Sequence, residues 1–157
     1  MTQSESRITA GMIVIGDEIL SGRTKDVNIG AVADFCTDLG IDLTEVRVVS
    51  DEMDAIVEAV NALRARYTYV FTSGGIGPTH DDITADAIAA AFGVALPINA
   101  QARAMLEARW KETGTEVNEA RLRMARIPEG ADLIVNSVSA APGFRIGNVH
   151  VMAGVPV

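Results

Sequence analysis

Thr72-Ser73-Gly74-Gly75-Ile76-Gly77-Pro78-Thr79-His80-Asp81-Asp82-Ile83-Thr84 follows an apolar, aromatic run (Tyr67, Tyr69, Val70, Phe71) and precedes an alanine-rich helical pattern. The apolar run reads as a buried strand and the alanine-rich one as a helix. A strand that enters a glycine-rich turn and starts a helix presents unpaired backbone N–H groups and the positive end of the helix dipole to one point. That point suits a phosphate. Gly74, Gly75 and Gly77 leave room for a ligand and allow positive φ, and Pro78 stiffens the exit. Asp81 and Asp82 beside such a cradle would repel the ligand without an intervening cation, so the stretch points to phosphate held with Mg²⁺ or another hard divalent ion. Gly-Gly-x-Gly is neither a Walker A loop nor the dinucleotide fingerprint.

Upstream, Ile8 to Ile15 reads as a central strand ending at Gly16. Gly16 to Asn28 is then a loop with three carboxylates (Asp17, Glu18, Asp26) and an amide, at the carboxyl edge where open α/β sheets bind ligands. A helix with Val32, Phe35, Cys36 and Leu39 inward and Gly40 behind it should follow. Leu43 to Val49 reads as a second strand. Ser50 or Asp51 then stands where a cap belongs, before a helix that buries Ile56, Val57, Val60 and Leu63. After the glycine loop, Ile83, Ala87, Ile88, Ala91 and Phe92 face inward, with Gly93 at the helix end. Three strand–loop–helix units imply a parallel sheet.

Past Pro97 the pattern changes. Asn99 should cap a helix running to about Glu112, and Asn118 one that stops at Pro128, the two joined by Thr113-Gly114-Thr115. These inserted helices, about residues 99–127, carry five of the chain's eleven arginines and should pack beside the sheet or contact a neighbouring subunit, with Trp110 read as packing. Leu133 to Val135 and Val149 to Met152 read as short strands, with Gly147-Asn148 as a hairpin turn. Ala140-Ala141-Pro142-Gly143 is a second tight loop. Gly154-Val155-Pro156-Val157 follows a strand directly, so a further C-terminal element is expected, and Met1 to Arg7 reads as a disordered tail. Residues 8–157 are then one domain.

With 157 residues, 48% of them hydrophobic, the chain can bury a substantial core. Its net charge of −8 argues against a nucleic-acid surface, which draws on clustered Lys and Arg. The lone cysteine, Cys36, excludes an intrachain disulfide and fits a reducing compartment. With no apolar run near 20 residues and no signal-peptide pattern, a soluble, cytoplasmic protein is expected.

The chain resembles the molybdopterin-binding (MoaB/Mog-like) domain, and more closely the N-terminal domain of the competence/damage-inducible CinA family. The resemblance rests on Gly16-Asp17-Glu18-Ile19-Leu20-Ser21-Gly22, Val49-Ser50-Asp51, Gly74 through Thr84, Pro128-Glu129-Gly130-Ala131, Ala141-Pro142-Gly143-Phe144 and Gly154-Val155-Pro156. His80 and Asp81 match the CinA branch, whereas Asp82 and Thr84 match both, because the wider superfamily typically has Arg-Asp where this chain has Asp81-Asp82. Ser73, Ser139 and Ala153 replace a threonine, a glycine and a proline usual there.

The resemblance implies a three-layer α/β/α sandwich with a mostly parallel sheet, usually a homo-oligomer. It also implies a small-molecule phosphate ligand: a nucleotide diphosphate hydrolysed with a divalent metal, as associated with CinA-like members, or molybdopterin held without turnover. Neither nucleic acid nor membrane is expected as a partner. In the hydrolytic reading Asp82 and Asp51 are metal ligands and Asp81 orients the attacking water. Asp17, Glu18, Asn28, Ser73, Gly74, Gly75, Gly77, His80, Thr84, Pro142 and Gly143 would contact the ligand. Structural readings stand beside these: Asp81 and Asp82 as first-turn acids favourable to the helix dipole, Asp51 as an N-cap, Asp17 and Glu18 as loop-ordering groups, Asn28 as a helix start, His80 as a loop hydrogen-bonder, and Pro142-Gly143 as a turn.

Overall fold

A computed structural model of the chain describes residues 7–135 and 142–152. The first six residues, Ala140 and Ala141 of the second tight loop, Ser139, and Ala153 to Val157 lie outside the described residues.

Six strands form one sheet: β1 (Thr9–Ile15), β2 (Asp42–Val49), β3 (Tyr69–Ser73), β4 (Asp132–Ile134), β5 (Gly143–Ile146) and β6 (Val149–Met152), in the order β2-β1-β3-β6-β5-β4. The pairs β1·β2, β1·β3 and β3·β6 are parallel, and β5 runs antiparallel to both of its neighbours. The Gly147-Asn148 turn joins β5 to β6 with Gly147 at φ 57°, a left-handed conformation that glycine adopts without a Cβ clash.

Alternation along β1 explains the layering. Ile13 and Ile15 face a core shared with α3 (Met53–Arg66), α4 (Thr84–Phe92) and α5 (Ala100–Thr113), whose buried contributions include Ile56, Val60, Leu63, Ile88, Leu106 and Trp110. Ala10, Met12 and Val14 face a smaller cluster with Phe71 and Cys36 beneath α2 (Asn28–Asp38). Each fully buried Ile or Leu contributes roughly 2 kcal/mol of transfer free energy, so the α3/α4 side carries most of the hydrophobic stabilisation. Burial also pushes the Cys36 thiol above its ordinary pKa. Among the described residues no helix is long and apolar enough to cross a membrane.

Three expectations are corrected. Phe35 and Leu39 do not face the sheet: they are 56% and 58% exposed, because α2 turns Ile29, Val32 and Cys36 inward and leaves the Phe35/Leu39 stripe on its flank. The helix expected from Asn118 to Pro128 is one turn, α6 (Glu119–Leu122), followed by a 3₁₀ turn at Arg123–Ala125; Arg126 is extended and bridges to Ile98, which ends the helical run. Asn118 does cap α6 and Asn99 caps α5, accepting from Arg121 N at 2.8 Å and Ala102 N at 2.9 Å. The loop after β1 contains a further short helix, α1 (Asp17–Leu20).

Candidate functional site

The sheet register aligns the strand ends that matter. Ile15 pairs with Val49 and Val14 with Ser73, so the segments after β1, β2 and β3 leave the same edge side by side. β1 lies between β2 and β3, making that edge a topological switch point, where the loops after β1 and β3 part to opposite faces and open a crevice.

Asp17 and Asp51 interlock across this edge. Asp17 N donates to Asp51 Oδ2 at 3.0 Å and Asp51 N donates to Asp17 Oδ1 at 3.2 Å. Asp51 is therefore not the cap of α3, where Glu52 holds that position without a side-chain bond. Burial raises the Asp51 pKa; the bond from the Asp17 amide opposes this, and the charges of Asp17, Glu18 and Asp82 add to it. The Glu18 carboxylate folds back over Gly16, where an added Cβ would meet its Oε1 at 2.5 Å.

The glycine loop is held from beneath by Thr84, the first residue of α4. Its buried hydroxyl donates to Gly74 O at 2.9 Å and its amide to Gly75 O at 3.0 Å. Gly74 and Gly75 have φ of 97° and 72°, and a Cβ on either would fall onto Ile15 O or Thr84 Oγ1 respectively, so both positions require glycine. Thr84 is thus a clamp, and its hydroxyl proton is committed to the loop instead of a ligand. The direct handover from glycine turn to helix is likewise replaced by a separate turn. Asp82 N donates to Thr79 O at 3.1 Å, while Thr79 N and Oγ1 donate to Asp82 Oδ2 at 2.9 and 2.8 Å. One Asp82 oxygen orders the loop. Among the described residues Asp82 Oδ1 has no hydrogen-bond partner.

A cavity of about 350 Å³ opens above these groups. Asp17, Glu18, Asp51, Asp81 and Asp82 line it, and Arg23, Gly75 and Thr79 complete its wall. Gly74, Ser73 and Thr84 are not on its wall; Ser73 and Thr84 are buried. Gly77 and Pro142 line a narrower cleft behind the loop with Arg123 and Arg126. His80 points outward, its side chain 91% exposed and 3.4 Å from Asp81. Asn28 is the first residue of α2, whose start is tied by Asp26 Oδ2 accepting from Ile29 N at 2.8 Å; it lines none of these cavities. Gly143 belongs to β5, where a Cβ would strike the Val151 carbonyl, so strand packing accounts for it.

Sequence reading missed Arg23, Thr79, Arg123 and Arg126 at the site. Arg23 and Thr79 stand inside stretches that the sequence singles out, but Arg123 and Arg126 lie in an insertion expected to pack beside the sheet or contact a neighbouring subunit. Arg126 forms a bidentate pair with Asp86 of α4 at 2.8 and 3.1 Å, and Arg123 Nη2 donates to Asp82 O at 3.4 Å.

Among the described residues no group of three or more His, Cys, Asp or Glu stands close enough to cage a metal ion. Mg²⁺ seldom uses such a cage: it keeps several waters and takes one or two carboxylates together with substrate phosphate. Five carboxylates against one arginine fit that mode.

Residues 11–157 match the family described as "Probable molybdopterin binding domain". A crystal structure of the protein CinA from Thermoplasma acidophilum, described as of unknown function, superposes with a TM-score of 0.86 at 35% identity, covering 97% of this chain and 91% of that one. The chain belongs to the molybdopterin-binding, MoaB/Mog-like family and is CinA-like within it. A MoaB from Thermus thermophilus (TM-score 0.58, 14% identity, covering 95% of this chain and 82% of that one) shares the fold of this CinA-like domain. Curated relatives from Caldivirga maquilingensis and Aeropyrum pernix are each 36% identical, over 94% and 97% of this chain. The chain spans 59% and 58% of their lengths.

Proposed function

We propose that this CinA-like domain binds a nucleotide diphosphate such as ADP-ribose with a divalent cation in the acidic cavity, and hydrolyses its pyrophosphate bridge. The observation that carries the proposal is the convergence of five carboxylates and the Gly75 loop on one crevice, with Arg23 the one basic side chain among its described lining residues. Asp82 and Asp51 would hold the cation, which when bound neutralises charge on the phosphate oxygens. Asp82 Oδ1 and the raised pKa of Asp51 support that assignment, since a cation relieves the repulsion that disfavours Asp51 ionisation.

Arg23, on the cavity wall, would share phosphate charge. Asp81, 77% exposed with His80 3.4 Å away, is assigned to the attacking water. Water oxygen bonds to one phosphorus as the bridging P–O bond breaks, and the water proton passes to Asp81 and on to solvent. ADP-ribose would give AMP and ribose 5-phosphate. A homo-oligomer is part of this reading, supported by the exposed Phe35 and Leu39 on α2.

The family match supports a second reading, in which the same crevice holds a pterin phosphate without turnover. Melting temperatures with ADP-ribose and with molybdopterin, each with and without Mg²⁺, followed by product analysis, separate the two. Ligand at about 100 times its Kd adds about 2.7 kcal/mol, a readily measured shift. Metal-dependent stabilisation by ADP-ribose with AMP release that Asp82→Asn abolishes supports hydrolysis. Stabilisation by molybdopterin alone without product supports the carrier, and no shift with either compound removes both.

A further inference from the structure

Across the Pro78–Thr79 ridge from the acidic cavity lies a second one, of about 380 Å³. Its ionisable lining is His80, Arg121 and Arg123, without a carboxylate, in a chain of net charge −8. Pro78 and Ala120 supply apolar wall, and Thr79 borders both cavities.

The arginines on this side are not balanced. Asp86 is engaged by Arg126 through both oxygens, at 2.8 and 3.1 Å, and Arg123 reaches the same carboxylate only at 4.0 Å. Two guanidinium groups thus share one carboxylate. Arg123 Nε is buried and has no hydrogen-bond partner among the described residues, and its contact with Asp82 O is long at 3.4 Å. Arg121 spends one nitrogen on Glu116 O at 2.6 Å. A half-buried guanidinium in surplus over its carboxylate partners is stabilised by an anion, and its planar fork matches phosphate oxygens.

We infer that this cavity is a phosphate subsite that works without metal, with Arg121 and Arg123 as donors and His80 at its rim. Because Thr79 is a common wall, a phosphate bound here lies beside the acidic cavity and outside it. The two phosphorus atoms of a diphosphate share one bridging oxygen, so this subsite takes a separate group: free phosphate or a monophosphate such as AMP. The subsite does not rest on the function proposed above.

The test is an NMR titration of the ¹⁵N-labelled chain, reading arginine Nε–H signals, with inorganic phosphate and then AMP in EDTA. The expected result is saturable shifts at Arg121 and Arg123, with Arg121→Gln weakening phosphate about tenfold, the loss of one charge-assisted bond. Asp51→Asn should leave this metal-free response intact while removing any Mg²⁺-dependent response to ADP-ribose. The inference is overturned if no saturable shift appears, if the shifts fall on Arg23 instead, or if Arg121→Gln binds phosphate like the parent while its melting curve shows it folded. A metal-free response without any Mg²⁺-dependent one would retire the hydrolytic proposal and leave the subsite standing.

Discussion

Replacing Thr84 by valine keeps the volume of a fully buried side chain and deletes the single hydroxyl that clamps the glycine loop. The Gly74 carbonyl loses its donor at 2.9 Å. A methyl in place of that oxygen needs a carbon–oxygen separation of about 3.3 Å or more, so the loop must move outward by a few tenths of an ångström. An acceptor left without its partner costs about 1–3 kcal/mol. Thr84→Ser retains the bond and loses one buried methyl, costing about 1 kcal/mol. For a domain of this size each kcal/mol lowers Tm by about 2–4 °C. At the middle of that range, about 2 kcal/mol, valine should melt about 4–8 °C below the parent, and serine about 2–4 °C below. Urea unfolding with a common m-value checks that the native state, and not its compactness, has changed. If valine is as stable as serine, or more so, the hydroxyl does not hold the loop and the account of the cradle fails.

Asp51→Asn retains an acceptor for the Asp17 amide while removing a charge that burial and neighbouring carboxylates disfavour. The Asp51 pKa is raised in the folded state, so the unfolded chain gives up this proton first as pH rises from 3.8 and stability falls through that window. Metal-free unfolding should show a flatter pH profile in the asparagine variant; an unchanged slope would count against the charge cluster. Asp86→Asn weakens the bidentate pair with Arg126 and leaves Arg126 and Arg123 without a carboxylate. With Asp86 and Arg126 28% and 22% exposed, the fully buried cost is discounted to about 2 kcal/mol, to be read by urea unfolding. Glu45 is held down to about 2 by Arg47 and then by Tyr67, whose hydroxyl donates at 2.7 Å. Its contribution to stability is present above 4.5 and lost as pH falls toward 2. Tyr67→Phe should raise the Glu45 midpoint in a carboxyl NMR titration.

Residues whose geometry is local or periodic were legible in the sequence. The apolar repeats of α3 and α4, the caps at Asn99 and Asn118, and the Gly147-Asn148 turn follow from spacing and turn chemistry within a few residues. Carboxylates placed after strands came together because parallel strands deliver their C-terminal ends to one edge, as the Ile15·Val49 and Val14·Ser73 pairs show. What stayed hidden depends on partners far along the chain. The Thr84 hydroxyl, expected at a ligand, is held by Gly74 ten residues back, and Asp51, expected as a metal ligand or as an N-cap, bonds Asp17 across the edge. Arg123 and Arg126 acquire their place only through Asp86, about 40 residues upstream, and no periodic pattern encodes that pairing. Phe35 and Leu39 misled because two apolar stripes on α2 satisfy the same helical spacing, and only the sheet selects one.

If main-chain and acidic groups at this edge hold a diphosphate and a divalent cation together, the ion lies among them. Mn²⁺ in place of Mg²⁺, added with ADP-ribose to the ¹⁵N-labelled chain, broadens amide signals near the ion. Broadening should centre on Asp17, Asp51, Gly75 and Asp82, be stronger with ligand than without, and be lost in Asp82→Asn. Broadening centred elsewhere, or unchanged by ADP-ribose and by that substitution, would contradict that placement of the ion.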